Sequence, residues 1–213
     1  MNILVLAATS FEIAPLLKWR ESSKTKDSVD CLITGPGIFF TTLQVLQKIH
    51  DKSYDFIIHA GIAGAFPKDI SIGSVFQVES ECFADFGAMD HEKFLDIFSL
   101  GLLDPNQKPF QNGALINPYY YPRLPKAKSV TVNCASGNQE GIDRIQSLYH
   151  PDLESLEGAA STYICLSRNI PFIQIRSVSN RVEPRNRAAW NIPLAIENLN
   201  QSLIQLLEDF KQD

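Results

Sequence analysis

The chain has 213 residues, 45% of them hydrophobic and 20% charged, which is enough apolar material for a single domain with a sizeable core. Its 19 lysines and arginines stand against 24 acidic residues, and a net charge of -5 gives no general attraction to phosphate backbones or anionic lipid. Nucleic acid and membrane partners are therefore not expected, and no apolar run approaches the ~20 residues of a membrane span. The opening run, MNILVLAATS, has no basic residue ahead of it and suits a buried first strand better than a secretion signal. Cys31, Cys82, Cys134 and Cys165 form no CxxC pair and have no histidine at ligand spacing. That pattern points to neither a zinc site nor a disulfide framework, and it fits a reducing cytoplasm.

In chain order, short apolar runs predict strands at 3–7, 31–34, 56–59, 75–78, 129–133 and 172–177. Helical periodicity appears at 11–18, 40–50, 157–166 and, most regularly, 192–210. Strands alternating with helices predict an α/β fold. The stretch 84–128 differs: it carries Pro105, Pro109, Pro118, Pro122 and Pro125 and the run Tyr119, Tyr120, Tyr121. It reads as an insertion along one edge, not a second domain, so one domain is expected over 1–213.

In α/β sheets ligands collect beyond the carboxyl ends of strands, so the turns after each strand are where function is sought. The first, residues 7–12, is built of small residues and ends in Glu12, whose plain reading is a carboxylate favoured at a helix N-terminus. Gly35-Pro36-Gly37 offers a bend, and Gly61-Ile62-Ala63-Gly64-Ala65 offers backbone that a ligand can approach closely, although tight packing accounts for single glycine turns as well. Glu157 stands at a strand-to-helix junction followed by Gly158, Ala159 and Ala160, which sets it apart from a surface carboxylate. Asn180 ends the apolar strand that begins near Pro171 and falls at the same end of the sheet; capping a turn is the usual work of an asparagine there. A buried or capping role is the plain reading of each of His59 and His91.

These turns, in this order, resemble the purine nucleoside phosphorylase and nucleosidase superfamily along the whole chain. The resemblance implies a central mixed twisted sheet flanked by helices in three layers. It matches Glu12 to a water-binding glutamate, Ala63 and Gly64 to a glycine-rich ligand loop, and Glu157, with Leu156 beside it, to a ribose-binding glutamate. It also places Asn180 where the nucleosidases have a base-protonating aspartate. The runs Leu156-Glu157-Gly158-Ala159-Ala160 and Pro184-Arg185-Asn186-Arg187-Ala188-Ala189-Trp190-Asn191-Ile192-Pro193 are most similar to the futalosine-hydrolysing branch of that superfamily.

The implied chemistry is hydrolysis of an N-glycosidic bond through an oxocarbenium-like transition state. Glu157 accepts from the ribose hydroxyls and grips harder as the ring becomes cationic, and Glu12 activates water. A carboxamide at 180 donates to O6 of a purine and accepts from a protonated N7, whereas adenine presents a donor at position 6, so asparagine leans toward a 6-oxopurine. Arg181, Arg185 and Arg187 follow directly and are candidates to bind a carboxylate on the substrate, with a solvated loop or a subunit contact as the competing reading. No metal or organic cofactor is implied, and relatives of this kind form homo-oligomers. A phosphorylase is disfavoured because residues 7–12 and 61–67 contain no lysine or arginine and a carboxylate at the nucleophile position repels phosphate. An adenine-releasing nucleosidase acting on methylthioadenosine, adenosylhomocysteine or aminofutalosine is the nearest alternative. A non-catalytic nucleoside-binding protein is a further one, against which both glutamates stand.

Overall fold

The computed structural model describes residues 1–23 and 28–210; the single-domain expectation over 1–213 also covered 24–27 and 211–213, which lie outside the described residues. The elements follow as β1 (Ile3–Ala7), α1 (Ala14–Ser22), β2 (Val29–Ile33), α2 (Gly37–Asp51), β3 (Phe56–Ala65) and β4 (Val75–Phe83). After these come a hairpin of β5 (Gly87–Asp90) and β6 (Lys93–Asp96), then β7 (Leu115–Ile116), β8 (Lys126–Thr131), α3 (Gln139–Tyr149) and β9 (Leu153–Ser155). The chain closes with α4 (Gly158–Arg168), β10 (Phe172–Arg181), a 3-10 turn at Arg187–Ala189 and α5 (Ile192–Asp209).

Every residue of β1 is buried because its two faces meet different helices. Ile3, Val5 and Ala7 join a core with Ile13, Leu16 and the α5 leucines, while Leu4 and Leu6 pack with Val45 of α2 and Ile164 of α4. The alternation is the period-2 pattern of a strand in the middle of a sheet. At this level the fold is the mixed α/β architecture expected, with a central mixed sheet and flanking helices.

The sheet does not stay open. β1 pairs in parallel with β2 on one side and with the first half of β3 on the other. β3 runs parallel to β10 along its length; β10 is antiparallel to β4, β4 parallel to β8, and β8 parallel to β9. β9 then returns to β3, antiparallel, at Gly64 and Ala65. β3, β10, β4, β8 and β9 thus close into a ring, with β1 and β2 continuing the sheet outward from the start of β3. The space between them is filled largely by small or branched side chains, Ala63, Ala65, Ala127, Leu153 and Val178, as the narrow bore of a small closed sheet requires.

Several expectations are corrected. The glycine-rich segment 61–65 is the second half of a continuous strand rather than a turn. The first helix starts at Ala14, with Pro15 in its first turn, so Glu12 sits in the turn before the helix and does not open it. α3 was not foreseen, and β9 was implied by the strand-to-helix junction at Glu157 but given no bounds. α3 carries Ile142, Ile145, Leu148 and Tyr149 at helical spacing in an otherwise polar run, a signal that the sequence reading passed over, and β9 has 3 residues. Two tyrosines of the insertion anchor it to the domain: Tyr119 packs on Phe56 at the start of β3, and the Tyr121 hydroxyl donates to Asp209 at 2.6 Å. The insertion is stitched to the domain by β7 on β4 and by Phe110 and Leu115 packing around Ala159. No helix among the described residues is long and apolar enough to cross a membrane.

Candidate active site

A cleft of about 450 Å³ opens where the carboxyl ends of β3 and β10 meet the turn after β1 and the start of α4. Glu12, Ala63, Gly64, Leu156, Glu157, Asn180, Arg181 and Arg185 all line it, so residues spread over much of the chain converge on one space. Arg187 does not line it.

Glu12 is buried, and both its oxygens are engaged. Oε2 accepts from the Thr9 backbone N–H at 2.9 Å and the Thr9 hydroxyl at 3.0 Å, and Oε1 accepts from the Ile62 N–H at 3.1 Å. The turn itself is pinned from behind by Asn200 of α5, a buried amide that donates to the Glu12 carbonyl at 2.8 Å and accepts from the Leu16 N–H at 3.0 Å. α5 therefore does more than cover the sheet, because it fixes the backbone that carries a candidate catalytic carboxylate.

Glu157 is the residue before α4, yet its side chain makes no cap bond to its own helix. Oε1 accepts instead from the N–H of Gly37 at 2.8 Å, at the N-terminus of α2, where the helix dipole favours a negative charge. Burial pushes the Glu157 carboxyl above its ordinary value; Arg176 and the Gly37 N–H pull the other way, and Glu12 adds to the rise. Glu12 and Glu157 thus face one cleft, with a buried guanidinium acting on Glu157.

That guanidinium belongs to Arg176, a residue to which sequence reasoning assigns no role. Arg176 is among the largest fully buried side chains, in a buried strand where it follows the apolar residues Phe172, Ile173 and Ile175. Nη2 donates to Gln174 Oε1 at 3.1 Å and lies 3.2–3.3 Å from the ring nitrogens of His59. His59, which burial and the neighbouring Arg176 hold well below its ordinary pKa, is neutral and contacts Ser161 at 2.5 Å. Gln174 also donates to Glu81 at 2.6 Å, and Glu81 accepts from Thr131 at 3.0 Å. Burial pushes Glu81 up to about 7. The signal available in sequence was a charged residue inside an apolar strand, since a buried charge is kept only with partners.

Asn180 sits beside a register shift between β10 and β3 and is half-buried. Its Nδ2 donates to the Arg181 carbonyl at 2.8 Å, and its Oδ1 accepts from the Ser179 hydroxyl at 2.8 Å. The carbonyl can only accept, which fixes the amide orientation, and one N–H and one lone pair remain for a ligand.

The arginines separate by environment. Arg181 is a clamp rather than a free cation: its terminal nitrogens donate to the carbonyls of Pro67 and Lys68, the latter at 2.7 Å. Arg185 is exposed at the cleft mouth and stacks on Trp190 at 5.7 Å; Arg187 stacks on the same ring at 5.8 Å but away from the cleft. Phe11, Trp190, Ile192 and Ile196 give the mouth an apolar wall. Among the described residues no group of histidine, cysteine and acidic side chains is arranged to hold a metal ion.

The chain is 30% identical over 216 residues to the 5'-methylthioadenosine/S-adenosylhomocysteine nucleosidase of Maridesulfovibrio salexigens, a match that spans 89% of this chain and 90% of that protein. It belongs to the nucleoside phosphorylase and nucleosidase family. It is also 27% identical to the futalosine hydrolases of Streptomyces coelicolor, over 75% of this chain and 69% of that one, and of Acidothermus cellulolyticus, over 84% and 75%. Nucleosidases are N-glycosyl hydrolases, and this nucleosidase shares their fold in solved structures. The TM-score is 0.83 at 16% identity to the Neisseria meningitidis methylthioadenosine/adenosylhomocysteine nucleosidase bound to methylthio-immucillin-A, covering 98% of this chain and 99% of that one. It is 0.81 at 14% identity to Helicobacter pylori futalosine hydrolase, covering 98% of each. No protein-family model matches the chain.

Proposed function

We propose that this nucleosidase hydrolyses the N-glycosidic bond of futalosine, releasing hypoxanthine, as a step of the alternative route to menaquinone. The observation that carries this reading is the Asn180 amide, which lines the same cleft as the buried carboxylates of Glu12 and Glu157. In the proposed mechanism Glu12, held by Thr9 and Ile62, binds the attacking water and takes its proton. Glu157, oriented by Gly37, accepts from the ribose hydroxyls, and this contact strengthens as positive charge develops on the ring. Leu156 packs on the sugar, while Ala63 and Gly64 let the nucleoside lie close to β3.

Asn180 donates its remaining N–H to O6 and accepts from N7 once that nitrogen carries a proton from water, so it stabilises the leaving base and does not itself protonate it. The apolar mouth formed by Phe11, Trp190 and Ile192 suits the benzoate tail of futalosine, and Arg185 is the cation near it. A homo-oligomer in the cytoplasm completes the reading; the free thiols of all four cysteines are in keeping with such a compartment.

The second reading, an adenine-releasing nucleosidase, is favoured by the Maridesulfovibrio relative, which matches over more of the chain than the Streptomyces and Acidothermus hydrolases. Incubation without phosphate with futalosine, aminofutalosine, inosine and methylthioadenosine, followed by chromatography of the released base, separates the two. Hypoxanthine from futalosine supports the proposal. Adenine from the amino compounds in its place overturns it.

A further inference from the structure

Glu154 has no part in the reaction described above, yet it is buried and lines the same cleft as Asn180. Along β3, Gly64 pairs with Asn180 of β10 on one side and with Glu154 of β9 on the other. Residues paired directly across strands project to the same face, so amide, glycine and carboxylate form a row whose outer backbones stand about 10 Å apart, at ~4.8 Å per strand. Gly64 lets the Asn180 amide reach in over the middle of that row: a β-carbon there would lie 3.1 Å from Asn180 Nδ2 and 2.8 Å from Val182. The result is a slot with an amide at one end and a carboxylate at the other.

The carboxylate is held in place from the loop after β8. The Ser136 N–H donates to Oε1 at 2.9 Å and the Ser136 hydroxyl to Oε2 at 2.5 Å. A carboxylate has about four acceptor positions, so each oxygen keeps capacity for a further donor. Among the described residues no lysine, arginine or histidine makes an ion pair with it. What such a group lacks is a ligand that brings an N–H or O–H.

We propose that Glu154 accepts a hydrogen bond from N1–H of a 6-oxopurine and is a specificity-determining residue that rejects 6-aminopurines. The inference deepens the proposed function and rests on it only in taking a purine as the occupant of the cleft. A 6-oxopurine carries an acceptor, O6, next to a donor, N1–H; Asn180 supplies the donor for the first and Glu154 the acceptor for the second. A 6-aminopurine has a bare lone pair at N1, which would face a carboxylate with no proton between them. Both ends of the slot then select the same base, and the Ser136 clamp stops the carboxylate from turning away.

The test is calorimetric binding of hypoxanthine, 1-methylhypoxanthine and adenine to the full chain and to Glu154→Gln. The methylated base keeps O6 and N7 and loses only N1–H. The unaltered protein is expected to bind hypoxanthine at least about tenfold more tightly than either other base, the size of one charge-assisted hydrogen bond. Glu154→Gln is expected to weaken hypoxanthine by about tenfold and to close the gap to adenine, because its amide can donate to N1. Equal binding of hypoxanthine and its methyl derivative by the unaltered protein overturns the inference, whatever the fate of the variant. So does a gap that survives in a folded Glu154→Gln, or absence of hypoxanthine binding. Because binding is read without turnover, a protein that shows the expected pattern but releases nothing from futalosine sinks the proposed reaction and leaves the base contact standing. Full-rate hypoxanthine release by Glu154→Gln, with base preference unchanged, sinks the contact alone.

Discussion

The guanidinium of Arg176 occupies the space that a side chain at Gly61 would need: a β-carbon on that glycine would fall 2.0 Å from Arg176 Nη1. Arg176 is fully buried with Nη2 beside Gln174 and His59, so it cannot swing into solvent to make room. The same β-carbon would stand 3.1 Å from Glu12 Oε1. Gly61→Ala therefore disturbs a buried cation and a candidate catalytic carboxylate together. Overpacking of this kind costs about 1–3 kcal/mol, and a chain of this length loses roughly 2–4 °C of melting temperature for each kcal/mol. Scanning calorimetry should show that fall, and nucleoside hydrolysis should fall with it; an unchanged melting curve would mean that Arg176 repacks freely.

Glu12→Gln separates chemistry from folding. The substitution keeps the shape but removes the base, and it turns an N–H toward the donors of Thr9 or Ile62. Turnover should drop by about 10²- to 10⁴-fold while the melting temperature moves by only a few degrees. Retention of more than a tenth of the activity would remove Glu12 from the proposed mechanism.

Asn180→Asp tests the base end of the site. The Arg181 carbonyl, 2.8 Å from Nδ2, accepts only, so an aspartate there is stable in its protonated form, the form able to give a proton to N7. The variant should gain adenine release from aminofutalosine relative to hypoxanthine release from futalosine, by tenfold or more in the ratio of kcat/KM. An unchanged ratio would show that position 180 does not choose the base.

Two pH effects of opposite sign are expected. Burial raises the Glu157 carboxyl, which works as an anion, so activity should decline as pH falls through that raised value, with an acid limb above the ordinary glutamate range. For Glu81, at about 7 in the folded protein against 4.5 unperturbed, the folded state holds its proton more tightly than the unfolded state. Stability is therefore lost as pH rises from about 4.5 to about 7 and levels off above. Melting temperatures at pH 5 and pH 8 should show this decline, and Glu81→Gln, fixed in the neutral form, should flatten it; equal slopes would assign the effect elsewhere.

The arginines should divide between stability and affinity. Arg181→Ala breaks the clamp on Pro67 and Lys68 and should lower the melting temperature, while Arg185→Ala should leave stability alone and raise KM for a substrate with a carboxylate tail. An unchanged KM in Arg185→Ala would place the tail elsewhere.

Much of the fold was legible because apolar runs and helical periodicity survive in single elements: the predicted helix at 192–210 is α5, Ile192–Asp209, nearly to the residue. Glu12 and Glu157 could be singled out as candidates because each stands out against small or apolar neighbours, and Asn180 because the family resemblance places it where the nucleosidases have an aspartate. The buried network of Arg176, His59, Gln174 and Glu81 was not, since its members come from β3, β4 and β10 and only the ring brings them together. Gly61 to Ala65 was misread as a turn for a related reason. Glycines that look like chain reversal are, in β3, the places where neighbouring side chains cross the strand. Glu154 gave no local signal at all, because its meaning depends on lying across Gly64 from Asn180.

The closed ring also dictates an order of assembly. β10 lies between β3 and β4, so both strands keep an unpaired edge until a segment more than a hundred residues beyond β3 has been synthesised. During that interval apolar strands with open ladders are templates for the wrong neighbour, another nascent chain included. Contacts this distant in sequence also slow the search for the native pairing. The last strand to arrive brings Arg176 and Asn180 with it, so a chain that stalls before β10 lacks its buried cation and its base-facing amide at once.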